Sequence, residues 1–170
     1  ALRGAGNLDA AIDSYKRALK LKPNYIEACA SMANSFKEKG EFNAAIENYK
    51  LAIKLEPANA DIYYNMGNAL KEVGEFDAAI ESYKRALKIK PNYAEAYNNI
   101  GNVLQGRGEF DAAIESYKNA VTIKPDYAEA HYNIGNILRE QGNFDASIAS
   151  YNRALKIKPE YAEVYNNIGN

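Results

Sequence analysis

AEAYNNIGNVLQGRGEFDAAIESYKNAVTIKPDY, residues Ala94–Tyr127, reproduces most of the rest of the chain when it is laid over it at a 34-residue offset. Pro23, Pro57, Pro91, Pro125 and Pro159 stand 34 residues apart and are the five prolines of the 170 residues. A repeat of that period marks a solenoid, in which each unit buries its apolar face only against its neighbours. Function is therefore expected on an extended surface, not in a deep pocket.

Within this unit Tyr97, Ile100, Gly101 and Leu104 recur at i, i+3, i+4 and i+7, and Phe110, Ile114, Tyr117 and Val121 follow a second such pattern. The spacing predicts two amphipathic helices. Gly108 lies between them, where a reversing chain can use positive φ, and Pro125 ends the second helix. Asp126 with Glu129, Asn24 with Glu27, and Asn92 with Glu95 predict an N-cap and its returning carboxylate at the start of each following first helix. Ala58 lacks such a capping side chain.

Tyr97, Ile100, Gly101, Leu104, Ala113, Tyr117, Ala120 and Pro125 resemble the signature of the tetratricopeptide repeat. The resemblance covers the entire chain. It implies an all-α fold of helix pairs stacked as a right-handed superhelical solenoid. The expected organisation is a single array over 1–170, with full units 26–59, 60–93, 94–127 and 128–161 between partial units 1–25 and 162–170. In the first partial unit Leu2 takes the slot of Leu104 and Gly6 that of Gly108, while Tyr15, Ala18 and Pro23 complete a second helix. The unit 26–59 departs most from the pattern, with Cys29 for the leading tyrosine, Ala33 for glycine and Phe36 for leucine, which read as size adjustments at a packing interface.

The 21 basic and 22 acidic side chains leave a net charge of −1, so no global field favours nucleic acid or an anionic membrane. Lys50, Lys84 and Lys118 stand three residues after Glu47, Glu81 and Glu115 and read as a solvated outer face. No apolar run approaches the length of a membrane span. One cysteine suits a reducing compartment, and the cytoplasm is the default expectation. No cofactor is expected. His131 stands alone in the slot of Tyr63 and Tyr97 and reads as a packing residue. With no second histidine, no glycine-rich phosphate loop and no activated nucleophile, the chain is not expected to be an enzyme.

The informative residues are polar ones that recur without a packing reason. The sixth position of the first helix carries Asn65, Asn99, Asn133 and Asn167, with Ser31 as the exception; the ninth carries Asn34, Asn68, Asn102, Asn136 and Asn170. Each asparagine inside a helix costs about 0.5 kcal/mol relative to alanine, so something must offset it. By the family resemblance, the first helix lines the inner groove, with its second, fifth, sixth, ninth, twelfth and thirteenth positions facing inward. A ladder of carboxamides there could grip the backbone of an extended peptide, because each amide both donates and accepts. The ninth row has a second reading, in which its amides bond to the neighbouring helix and only stabilise stacking. Tyr64 and Tyr132 alternate with Asn98 and Asn166 at the fifth position and suit side-chain pockets. Lys37, Lys71, Gln105 and Arg139 follow along the face. Glu27, Asp61, Glu95, Glu129 and Glu163 recur at the second position, where they complement the helix dipole. That acidic row disfavours a clamp for a C-terminal carboxylate.

The Y-x-N-x-G-N runs at Tyr63–Asn68, Tyr97–Asn102 and Tyr165–Asn170 are similar to the repeat array of the O-linked N-acetylglucosamine transferases, where an asparagine ladder holds substrate proteins. Nothing of a sugar-transferring domain is present in these residues. The function expected is a non-catalytic protein-interaction scaffold that binds an extended peptide segment in a concave groove. The alternative is a self-assembling scaffold that stacks head to tail. Ala162–Asn170 read into Ala1–Gly6 gives a proper first helix and turn, and an apolar flank around Ile148, Tyr151 and Leu155 is expected to be exposed for contact. The peptide reading requires the carboxamides to face the groove and not the seams between units.

Overall fold

The computed structural model describes residues 7–169; the slots assigned to Leu2, Gly6 and Asn170 lie outside the described residues, as does the proposed joint of Ala162–Asn170 with Ala1–Gly6 at its Ala1–Gly6 side. The described residues form ten α-helices and no strand. They group into two compact units that divide between Pro91 and Asn92. The first contains α1 (Leu8–Leu21), α2 (Ile26–Glu38), α3 (Phe42–Leu55), α4 (Ala60–Glu72) and α5 (Phe76–Ile89). Here α2 pairs with α3 and α4 with α5, while α1 packs on α2 and α3 on α4. The second contains α6 (Ala94–Gly106), α7 (Phe110–Ile123), α8 (Ala128–Glu140), α9 (Phe144–Ile157) and α10 (Ala162–Gly169). In it α6 pairs with α7 and α8 with α9, and α7 packs on α8.

The turn inside each pair is where the glycine pattern places it. Gly108 has φ 75°, and Gly40, Gly74 and Gly142 are likewise left-handed. The Gly108 amide donates to the Gln105 carbonyl at 2.9 Å and the Glu109 amide reaches back to Leu104 at 2.9 Å, closing the last turn of α6. This double bond pattern satisfies carbonyls that a helix end otherwise leaves unpaired.

A second glycine lets the two helices of a pair approach. A Cβ built on Gly101 would lie 2.5 Å from the Tyr117 ring, and the same holds for Gly135 against Tyr151. Tyr49, Tyr83, Tyr117 and Tyr151 are accordingly the largest fully buried side chains. Tyr151 is only 1% exposed, which corrects its expected place on an open flank: it packs against Gly135 of α8 and in one core with Ala154 of α9 and Val164 of α10. In the repeat 26–59 the glycine is Ala33, and both Ala33 and Tyr49 remain buried.

The capping expectation needs correction. α2, α6 and α8 begin after Tyr25, Tyr93 and Tyr127, none of which caps with its side chain, so Asn24, Asn92 and Asp126 stand one residue too early. The cause is the Lys-Pro-x-Tyr turn, in which the Tyr127 amide donates to the Lys124 carbonyl at 3.1 Å and moves the helix start one residue on. The side-chain cap that does form is in the unit expected to lack one, where Asn59 Oδ1 accepts from the amides of Asp61 and Ile62. Glu95 and Glu129 still lie in first turns, where their charge meets the positive end of the dipole.

Candidate peptide-binding face

The ninth-row asparagines are tied down by the buried tyrosines. A phenol sequestered from water needs an acceptor, and the carboxamide fifteen residues before it supplies one. Tyr49 donates to Asn34 at 2.5 Å, Tyr83 to Asn68 at 2.8 Å, Tyr117 to Asn102 at 2.7 Å and Tyr151 to Asn136 at 2.7 Å. Of the two readings held open for this row, the bond to the paired helix is the one these distances describe. Burial pushes the Tyr117 phenol well above its ordinary range, with the Glu129 charge adding to the shift, and Tyr49 moves the same way beside Glu38.

The sixth row divides its two functions. In the second unit Asn133 Nδ2 donates to Asn102 Oδ1 at 3.0 Å and Asn167 Nδ2 donates to Asn136 Oδ1 at 2.8 Å. Each ninth-row oxygen there thus accepts from a phenol of its own repeat and from the amide of the next. The donor half of the sixth-row carboxamide therefore enters the seam between successive first helices. That seam contact goes against the requirement that the carboxamides avoid the seams; for the acceptor half, nothing among the described residues donates to Asn133 Oδ1 or Asn167 Oδ1, and both side chains are half-buried. Asn99 is half-buried in the corresponding place. In the first unit Asn65 Oδ1 accepts from Lys37 Nζ at 2.9 Å, and burial lowers the pKa of that lysine.

The flanking residues fall into place unevenly. Tyr132 is half-buried, its ring centroid 6.0 Å from Tyr151 and 5.1 Å from Tyr161, and its hydroxyl accepts from Asn167 at 3.3 Å. Tyr64 leans on Tyr83 at 5.9 Å. Asn98, at the same position of its repeat, is only 1% exposed and spends its amide on Glu129 at 3.2 Å, so it forms no open pocket. Lys71 pairs with Glu72 at 3.6 Å, and Arg139 is half-buried. On the outer face Arg85, not Lys84, meets Glu81, at 3.1 Å.

At the last helices Ile148 is 45% exposed, with Phe144, Tyr165 and Ile168 also open, whereas Leu155 packs partly on the core of Tyr151, Ala154 and Val164. His131 is buried with Nε2 3.2 Å from the Pro125 carbonyl, a packing site with one hydrogen bond. No group of three or more His, Cys, Asp or Glu side chains among the described residues is placed to hold a metal ion, and no described helix is long and apolar enough to cross a membrane.

Comparison with known proteins agrees with this geometry. A family model described as TPR repeat matches residues 33–74, 67–108, 106–138 and 135–170, and a tetratricopeptide repeat model matches 1–25. No curated protein matches the chain. Among solved structures, MamA is 34% identical with a TM-score of 0.87 over 93% of this chain and 92% of that one. A thermophilic TPR protein of Thermus thermophilus, TTC0263, is 26% identical with a TM-score of 0.73 over 96% and 90% of the two chains. YrrB, also a TPR protein, shares the fold at 23% identity and a TM-score of 0.80, over 95% and 84%. The chain belongs to the tetratricopeptide repeat family.

Proposed function

We propose that the chain is a non-catalytic interaction scaffold whose first helices hold an extended peptide of a partner protein through their sixth-row asparagines. The observation that carries this reading is that, among the described residues, nothing donates to the side-chain oxygens of Asn133 and Asn167. Their amide ends are fixed by Asn102 and Asn136, so each oxygen is oriented before a ligand arrives. A preorganised acceptor loses little freedom on binding, and each peptide N–H it takes contributes about 0.5–1.5 kcal/mol. Because the acceptors address backbone, selectivity falls to the half-buried ring of Tyr132 and the charges of Arg139 and Glu129. The similarity to the asparagine ladder of the O-linked N-acetylglucosamine transferases supports the same reading. Peptides selected on the chain from a random phage-displayed library test it. N-methylation at alternating backbone positions is expected to abolish binding at two or more sites, and peptides indifferent to N-methylation everywhere would refute backbone capture.

A second reading has its own observation. Phe144 is 63% and Ile148 45% exposed, four residues apart on α9, and an apolar patch of this kind suits a contact with a partner. Stacking on another copy of the chain would cover them. Ile148→Glu is expected to abolish oligomers in sedimentation velocity, and a wild type that stays monomeric at high concentration excludes this reading. We also propose a cytoplasmic location, since the single cysteine is buried and suits a reducing compartment.

A further inference from the structure

Cys29 stands at the fourth position of α2, the slot that Tyr63, Tyr97 and His131 fill in the other complete repeats. In the second unit the ring in that slot comes from the chain itself. Tyr97 packs on the core of Tyr117 and Ala120, and His131 directs Nε2 at the Pro125 carbonyl at 3.2 Å. A carbonyl only accepts, so that nitrogen carries the proton.

In the first unit the smaller side chain leaves a cleft of about 380 Å³ lined by Leu19, Pro23, Cys29, Leu51 and Leu55, among others. Pro23 is the counterpart of Pro125. A second departure from the repeat converges on the same place. Where Arg17, Arg85, Asn119 and Arg153 put a polar side chain, this repeat puts Leu51, which is 49% exposed. The one repeat that loses its ring thus also gains an apolar wall at the mouth of the vacated slot. Cys29 forms the floor. Burial raises its thiol pKa, so it stays neutral and offers a polarizable contact for a ring, not a nucleophile.

We infer that this cleft binds a small free phenol, whose ring takes the place of Tyr97 or His131 and whose hydroxyl donates to the Pro23 carbonyl. The volume is at the low end for small-molecule sites and suits one substituted ring. The inference does not depend on the peptide reading.

4-Methylphenol, the side chain of tyrosine, is the probe. Titrated into the full chain under ¹H–¹⁵N NMR, it is expected to give saturable millimolar shifts at the amides of Leu19, Asn24, Cys29, Leu51 and Leu55. Toluene, which lacks the donor, is expected to bind several-fold more weakly. Cys29→Tyr should fill the slot, remove the shifts and raise the melting temperature. Leu51→Arg restores the residue found at this position in three other repeats and is therefore compatible with folding; it should weaken binding about tenfold or more. Absence of saturable shifts at these amides in the wild type, equal affinity for toluene, or shifts that persist in both variants would overturn the inference.

Discussion

At the scale of the residue, the Tyr–Asn pair holds each repeat together. Tyr117 donates to Asn102 at 2.7 Å and to Gln105 at 2.9 Å, so its hydroxyl is shared between two acceptors on α6. Tyr117→Phe keeps the ring and removes the donor, leaving Asn102 its second donor from Asn133. The expected cost is about 1 kcal/mol in urea denaturation, the ordinary value of one buried hydrogen bond. The pairing was legible in principle, because Asn34, Asn68, Asn102 and Asn136 each precede a core tyrosine by fifteen residues. The partner on the neighbouring helix is not named by sequence, because that spacing has meaning only once the antiparallel register of the two helices is known. The same register hid the burial of Tyr151: a periodic pattern says which face is apolar, not which neighbour covers it.

At the scale of the element, the two glycines around the α6–α7 turn separate conformation from packing. Gly108 has φ 75° and open space around its Cβ position, so the strain of a side chain there is purely backbone. Gly108→Ala is expected to destabilise by about 1–2 kcal/mol. Gly106 ends α6 in ordinary helical geometry with nothing within 4 Å of a built Cβ, and Gly106→Ala is expected to stabilise by about 0.5–1 kcal/mol. Opposite shifts of the thermal midpoint check both. Helices, turns and pairing were readable from the apolar periods and from Gly108 and Pro125. The caps were not, because Asp126 has the composition of a cap while the Lys124–Tyr127 turn places it before the first helical residue.

At the scale of the molecule, the buried phenols link stability to pH. Tyr49 and Tyr117 are held above the ordinary value of 10.0, first by burial and then by nearby carboxylates, and Tyr161 is raised to about 12 for the same reasons. The folded chain therefore keeps protons that the unfolded chain releases near pH 10. The unfolded state binds fewer protons above that pH, so stability is full below about pH 10 and falls as pH rises further. Melting temperatures followed from about pH 8 to 11 should stay level and then drop, with the part of the tyrosinate absorbance that belongs to the buried phenols appearing together with unfolding. The candidate site was half legible. Rows of asparagine at the sixth and ninth positions announce a polar face, but sequence cannot divide a carboxamide into an end that stabilises and an end that remains free. The proposed peptide capture rests on that division. It is tested most directly by the affinity of a library-selected peptide for Asn133→Ala with Asn167→Ala, read beside the melting temperature. Loss of two acceptors should weaken binding by about 1–3 kcal/mol, roughly five- to 150-fold, in a chain that remains folded. An unchanged affinity would contradict peptide capture by these asparagines.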